Sequence, residues 1–253
     1  MILRSKKLSS LAGVVHGFST RQGGVSVGAF ASLNLARNVG DVPESVEENR
    51  RRLLAAIGAE AFAEADQVHG ARLIDAERGG SLGVEADGLI TAVPRLAVAV
   101  RTADCASILL AAIDARGRAT SVAAVHAGWR GATLGIATVA AHGLLGLEKG
   151  ARVIAAIGPT IGVSAFEVGD EVVAAARASL DGDAPPIQRG PSGSSHKWHL
   201  DLRALIALHL ARAGVTEIDQ VGGCTVSEPE MYFSHRRDRG VTGRHLSAIA
   251  LKQ

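Results

Sequence analysis

Only two cysteines, Cys105 and Cys224, occur in the 253 residues. They cannot build a disulfide framework, and a reducing cytosol is the expected compartment. Aromatic residues are scarce at 3%, too few for a base-stacking platform or a sugar-stacking cleft. Net charge is small. The 27 basic and 25 acidic side chains leave +2, which argues against a dedicated nucleic-acid binder. Long apolar runs are missing as well. The longest uncharged stretch, 131–147, is rich in glycine and threonine and carries His142, so it reads as a buried helix or a strand–turn–helix rather than a membrane span. The apolar residues 8–15 that follow Arg4, Lys6 and Lys7 are too few, and too broken by Ser9 and Ser10, for a signal peptide. These absences predict a soluble, cytoplasmic protein without nucleic-acid or membrane partners.

What is present is ordinary globular material, with 47% hydrophobic and 21% charged residues. The clearest helix spans 41–58, with Asp41 as the expected cap, Pro43 in the first turn, Glu44 at capping-box spacing and Gly58 to close it. Val46, Arg50, Leu53, Leu54 and Ile57 share one face of it. Short apolar runs at 96–100, 107–113, 121–126 and 151–157 have strand length, and 245–251 reads as a final strand. A polar break at 101–105 separates the first two. Helices are expected at 169–180 and 200–213. Strands and helices intermingle without a repeating βαβ rhythm, which favours an α+β fold with mixed sheets over a doubly wound parallel sheet. The Pro-, Gly- and Ser-rich stretch 181–195 reads as a flexible loop, and too little chain follows it for a second domain. One domain, 1–253, is expected.

Three segments place ligand-capable residues in strand or strand-end contexts. They are Gln67–Gly70, Thr102–Cys105 and Val125–Gly131. His69, Cys105 and His126 stand 36 and 21 residues apart, so only tertiary structure can unite them. Two imidazoles and a thiolate suit zinc, and three protein ligands with a fourth position open describe a catalytic site. Two alternatives use the same residues. In one, Cys105 is a small buried hydrophobe and His126 a hydrogen-bonded strand residue. In the other, Cys105 is a nucleophile, His126 or His69 its base, and Asp104 or Asp87 the orienting group. Metal binding would tie up the thiolate, so the zinc and thiol readings exclude each other.

Two further segments are candidate anion sites. The turn Gly17–Gly24 could present backbone N–H groups and Arg21 to an anion, or be a plain surface turn. The run Ser234–Gly240 could line a phosphate pocket, form a solvated basic loop, or touch RNA, the last least in keeping with the small net charge. His196 and His199 resemble a metal pair but sit beside the Ser-rich loop, and read as structural or incidental.

Taken in order, these segments resemble the multicopper polyphenol oxidoreductase, or laccase-domain, family. Its members are also described as purine nucleoside phosphorylases and peptidoglycan editing factors. The resemblance runs from about His16 to the C-terminus. It is carried by HGFSTRQGGVS (16–26), SLNL (32–35), GD with ENRRRL (40–41, 48–53), QVHG (67–70), ADGLIT (86–91) and TADC (102–105). It continues through AAVHAGWRG (123–131), AIGPTIG (156–162), FEVG (166–169), HLDL (199–202) and the CT…YFSHRRDRG.TGR blocks (224–244). It implies a zinc site of His69, Cys105 and His126, mixed sheets layered between helices (an α/β/β/α sandwich), and phosphorolysis of adenosine, inosine and 5′-methylthioadenosine with some adenosine deamination. One departure is visible: Val163-Ser164-Ala165 stands where family members often carry cysteines, which weakens any mechanism needing a second thiol.

The implied activities make different demands. A coupled copper cluster wants many histidines, often as H-x-H. With nine histidines, no such pair and two methionines, one mononuclear site is what this chain can build, although copper would compete for a His2Cys set. The cytidine-deaminase motifs H-x-E and P-C-x-x-C are missing, so deamination would need an activated water at the metal and an acid such as Asp104 to move protons. Phosphorolysis requires phosphate held below the anomeric carbon. Arg21 and Arg130 are the expected anion holders, assisted by Arg244 or His235, because guanidinium matches phosphate oxygens in bidentate geometry. Each could instead be a structural salt bridge. A metal-free cysteine hydrolase or peptidoglycan-precursor editing factor using Cys105 and His126 is the remaining alternative.

Overall fold

The computed structural model of the protein describes residues 2–76, 83–190 and 197–252. Its first part runs β1 (Ile2–Leu3), α1 (Lys6–Ser9), β2 (Val14–Ser19), α2 (Pro43–Ile57), β3 (Ala61–Ala63), β4 (Leu73–Asp75) and β5 (Gly88–Thr91). The middle contributes β6 (Leu96–Thr102), β7 (Ala106–Ile113), β8 (Ala119–Ala127), α3 (Trp129–Thr133), α4 (Ile136–Leu147) and β9 (Arg152–Ile157). There follow β10 (Glu167–Val168), α5 (Asp170–Ala178), β11 (Ile187–Arg189), β12 (Trp198–Leu200), α6 (Leu202–Arg212), β13 (Glu217–Gln220) and β14 (His245–Leu251).

Two mixed sheets form the centre. One has the order β1-β2-β14-β6-β3 and the other β13-β9-β7-β8-β5-β4. A side sheet, β10-β12-β11, lies apart from them. The apolar runs are continuous because both faces of each large sheet are covered. On β7, Ile108, Leu110 and Ala112 face the core shared with α4, α5 and α6. The alternate residues Leu109, Ala111 and Ile113 pack towards Val98 and Val100 of β6 and Ile249 of β14. Beyond that sheet, Ala97, Ala99, Leu246 and Ala248 pack on Leu53 and Ile57 of α2. The layers are therefore helix, sheet, sheet, helix, the α+β sandwich expected. Leu109 and Leu110 are fully buried, and truncating either to Ala costs about 2–5 kcal/mol.

Several local expectations change. Asp41 does not cap α2. Val42 holds the N-cap position without a side-chain cap, and Asp41 accepts instead from Val42 N, the Ser26 hydroxyl and Asn34 Nδ2. Gly58 does close the helix, at φ 83° with its N–H donating to Leu54 O. The stretch 131–147 is two helices, broken at Gly135 in the left-handed conformation (φ 77°) that glycine tolerates. Strand β6 runs two residues into the expected break, to Thr102, so Arg101 belongs to the sheet. The expected loop at 181–195 contains strand β11, paired with β12, while 191–195 and His196 lie outside the described residues. His199 sits in β12 with its Nδ1 2.9 Å from Val163 O. Among the described residues, no helix is long and apolar enough to cross a membrane.

Candidate metal centre and its cavity

β8 organises the site through its two neighbours. On one side, Gly88 pairs with Val125 in the antiparallel β5–β8 ladder. The ladder extends one step further, where His126 N donates to Asp87 O at 2.7 Å. On the other side, Ala106 pairs with Ala127, which carries the preceding Cys105 to the level of Gly128. A gap of 39 residues on one side of the ladder and 21 on the other thus closes through register alone.

His69 arrives from the loop between β3 and β4. Its φ of 62° is left-handed for a residue with a side chain, a conformation costing on the order of 1–3 kcal/mol unless its surroundings hold it. The carboxylate of Asp87 supplies that hold, accepting from the backbone N–H groups of Val68, His69 and Gly70 at 3.2, 3.0 and 2.7 Å. The same carboxylate lies 2.7 Å from His126 Nδ1. Because an ionised carboxylate only accepts, Nδ1 carries the proton and Nε2 faces the centre.

The donor atoms of His69, Cys105 and His126 all lie within 4.8 Å of one another, the one such group of three His, Cys, Asp or Glu among the described residues. That spacing approaches the edge of about 3.5 Å for a tetrahedron at zinc bond lengths. The two imidazole rings stand edge to face, 4.8 Å between centroids. Gly128 seals the back: a Cβ there would come within 3.0 Å of Cys105 Sγ and 3.1 Å of His69 Cδ2. Electrostatics fit a thiolate. Burial pushes the Cys105 thiol up, but hydrogen bonding and charge from His126, then His69, overcome it and bring it down to about 6. For His126, burial works against the proton, yet Asp87 and then Cys105 raise it to about 9. Asp87 itself is disfavoured as an anion by burial, which His126 and the Gly70 N–H outweigh, leaving it below the usual carboxylate range. Donor set and spacing fit one soft-to-borderline metal ion.

The trio opens into a cavity of about 460 Å³ lined also by Gln67, Arg101, Asp104, Phe166, His235, Arg236 and Arg244. This is within the usual range for small-molecule sites. Arg101 pairs with Leu246 across β6 and β14, and Arg244, just ahead of β14, lines the same cavity. Burial lowers the Arg244 guanidinium, opposed by Asp104 and Cys105, with the like charge of Arg101 lowering it further. Arg244 Nη1 donates to Thr242 O and Gly243 O, and its Nη2 stands 3.4 Å from His235 Nδ1. Arg101 is paired with the buried Glu64, whose Oε2 lies 3.7 Å from its Nε, and its Nη2 donates to Ala65 O; an anion in the cavity would offset the remaining repulsion between Arg101 and Arg244.

The other expected anion holders lie elsewhere. Arg21 does not line this cavity. Its Nε and Nη1 donate to Ala31 O and Pro229 O at 2.8 Å, and its guanidinium stacks on Phe233. Arg130 does not line it either; it is exposed, 4.4 Å above the Trp129 ring. The turn after Gly17 is thus scaffolding, while the run at 234–240 does reach the cavity through His235 and Arg236. Asp104 lines the cavity with both oxygens engaged: Oδ1 accepts from Thr225 Oγ1 and Oδ2 from Arg236 N, each at 2.6 Å. Its own carbonyl accepts from Thr160 Oγ1 and Ile161 N. These contacts fasten the β6–β7 turn to Thr225, Arg236 and the 160–161 segment.

Residues given no individual role from sequence complete the wall. Gln67 brackets the Arg101 backbone, its Nε2 donating to Arg101 O and its Oε1 accepting from Arg101 N, both at 2.8 Å. Arg236 stands over Phe166 at 5.7 Å. Arg101 had a readable signal, a charge at the end of an apolar strand. Phe166 had none beyond its place in FEVG.

Known proteins share the sequence pattern and the fold of this chain. The profile of the family described as multi-copper polyphenol oxidoreductase laccase matches residues 15–252. A Mycobacterium tuberculosis protein named purine nucleoside phosphorylase is 43% identical over 236 residues, covering 91% of this chain and 89% of its own. A Deinococcus radiodurans protein of the same name is 39% identical, covering 99% and 92%. Among solved structures, YlmD from Geobacillus stearothermophilus superposes with a TM-score of 0.83 at 34% identity, covering 96% and 93%. Neisseria meningitidis protein NMB0706 gives 0.81 at 38% identity, covering 96% of each chain. With the motif order, the layered sheets and nearly the full length shared, the chain belongs to the multi-copper polyphenol oxidoreductase laccase family.

Proposed function

We propose that this protein is a zinc-dependent purine nucleoside phosphorylase acting on adenosine, inosine and 5′-methylthioadenosine, with adenosine deamination as a side activity. The observation that carries the reading is a His2Cys donor set opening into the same cavity as two guanidiniums, Arg101 and Arg244. The name shared by the relatives supplies the substrate class.

His69, Cys105 and His126 would hold the zinc, which supplies Lewis-acid polarisation of a substrate heteroatom when bound. Arg101 and Arg244 hold phosphate by charge-assisted hydrogen bonds, beside the position from which the anomeric carbon is attacked. Breaking the C–N bond leaves positive charge on the ribose, and the phosphate anion stabilises it while forming the new C–O bond. The departing purine takes up a proton, with His235 at the rim as the candidate donor. Asp104 fixes the turn carrying Cys105 and the backbone of Arg236. Phe166 and Arg236 offer the faces against which a purine can stack. Copper would be accepted by the same donors, but one mononuclear site does not make a coupled copper oxidase.

A second reading has a specific observation behind it. Asp87, His126 and Cys105 are in line, carboxylate to imidazole to thiol, as a metal-free cysteine hydrolase acting on a peptidoglycan precursor would require. One experiment separates the two. Purified protein is analysed for metal beside Cys105→Ala, and purine release from adenosine is followed with and without phosphate. The phosphorylase reading requires about one zinc per chain, phosphate-dependent release, and loss of both in the variant. Alkylation-sensitive, chelator-resistant hydrolysis would establish the thiol instead.

A further inference from the structure

Asp87 is completely buried, directly ahead of β5, and its side chain is surrounded by donors. Oδ1 accepts from His126 Nδ1 at 2.7 Å and from His69 N at 3.0 Å. Oδ2 accepts from Gly70 N at 2.7 Å and Val68 N at 3.2 Å. A carboxylate has about four lone-pair sites, and all are used. A residue that merely stabilised the 68–70 turn would need only the three backbone contacts. The fourth ties that turn to an imidazole on β8, a strand reached from the far side of the ladder.

We propose that Asp87 is the positioning residue of the metal centre: one buried carboxylate sets both the tautomer of His126 and the placement of His69, so two of the three metal donors share a single anchor. The inference rests on reading the trio as metal ligands. Its consequence is sharp for Asp87→Asn, which is isosteric but has one acceptor oxygen. If the amide NH2 turns to His126, the ring must accept at Nδ1, which moves its proton to Nε2 and removes the lone pair a metal needs. If it turns to Val68 and Gly70 instead, two backbone N–H groups face a donor and the turn carrying His69 backs away. Both outcomes loosen the site.

The test uses the full chain. Zinc affinity is measured by competition with a chromophoric chelator, and cobalt(II) is loaded as a spectroscopic probe. Asp87→Asn is expected to bind zinc about 10–100-fold more weakly than wild type, and to lose the intense ligand-field bands of a tetrahedral cobalt site. Affinity within threefold of wild type, with an unchanged cobalt spectrum, would overturn the proposal. Because the variant also loses backbone contacts, a second measurement requires no mutation. Hydrogen exchange on metal-free wild type should show the amides of Val68, His69 and Gly70 protected, though Val68 and His69 are exposed side chains on a loop. Exchange at the unprotected rate would sink the anchor whether or not the variant folds. Wild type that binds neither metal would refute the metal reading itself, and this proposal with it, a result distinct from weakened binding in the variant alone.

Discussion

Adding one methyl group at Gly128 tests the metal centre without removing a ligand. The residue has φ −75° and ψ 179°, which alanine adopts without strain. Its Cβ would lie 3.0 Å from Cys105 Sγ and 3.1 Å from His69 Cδ2, short by roughly half an ångström of the ordinary contact range of about 3.5–4.0 Å. The backbone at Gly128 sits in the β8–α3 junction, so the two side chains must give way, and they give way into the open cavity. Metal–donor distances tolerate only about 0.2 Å. Displacements of this size should weaken zinc binding on the order of 10–100-fold, equivalent to about 1.4–2.7 kcal/mol. Since no burial is lost, the melting temperature of metal-free protein should fall by only a few degrees, within the low end of overpacking costs of about 1–3 kcal/mol. Chelator competition for zinc, beside thermal melts of metal-free wild type and Gly128→Ala, gives both numbers. Zinc affinity within threefold of wild type would refute the claim that these donors converge on one ion.

The remaining predictions use other parts of the molecule. Arg101→Gln or Arg244→Gln should each lose a charge-assisted hydrogen bond to phosphate of about 1.5–3 kcal/mol, seen as roughly a 10–150-fold fall in kcat/KM for phosphate. Arg130→Ala should stay within twofold of wild type, and unchanged phosphate saturation in both Gln variants would remove the anion site. His16 and His245 are buried neutral, each accepting a backbone N–H at Nε2, from Ser5 and Phe233. Burial, then the charge of Arg4, brings His16 down to about 4; burial brings His245 down to about 3. Below about pH 6.5 the unfolded chain therefore binds more protons than the folded one. Stability should fall as pH drops from about 6.5 towards 4, by about 1.4 kcal/mol per pH unit for each group. Urea midpoints that stay level between pH 7 and 4.5 would contradict this. Thr225→Val removes the hydroxyl that Asp104 Oδ1 accepts from at 2.6 Å, leaving a buried carboxylate oxygen short of a partner. A loss of about 1.5–3 kcal/mol, or about 3–10 °C in Tm by calorimetry, is expected; a melting temperature equal to wild type would mean that the fastener is dispensable.

Much of this protein is written in local pattern. The continuous apolar runs of β7, β8 and β9 announce strands covered on both faces, and the layered architecture has that property. Gly58 marks a helix end because its left-handed backbone is a local requirement. His69, Cys105 and His126 stand out in sequence because ligand-capable groups sit in or beside apolar strand segments, although only His126 proves buried. The same reasoning assigned Arg21 and Arg130 to phosphate, and the structure places both outside the cavity. A guanidinium is flexible and finds whichever carbonyls or rings stand within reach, and those at Ala31, Pro229 and Trp129 belong to the tertiary arrangement. Asp41 misled for the same reason: its carboxylate met Ser26 and Asn34 before it met the helix.

Arg101 and Asp87 show the opposite case. In sequence, one is a charge at a strand end and the other one of two acids, with Asp104, that could orient the base. Register between β6 and β14 pairs Arg101 with Leu246 and so brings it near Arg244 just ahead of that strand, and register between β5 and β8 sets Asp87 against His126. Residue type and spacing alone determined which segments are buried and which groups are capable of chemistry, since burial follows a local periodicity. Which of those groups meet was decided by strand pairing across 20 to 140 residues, because a side chain's reach of a few ångströms has meaning only once its neighbours are in place.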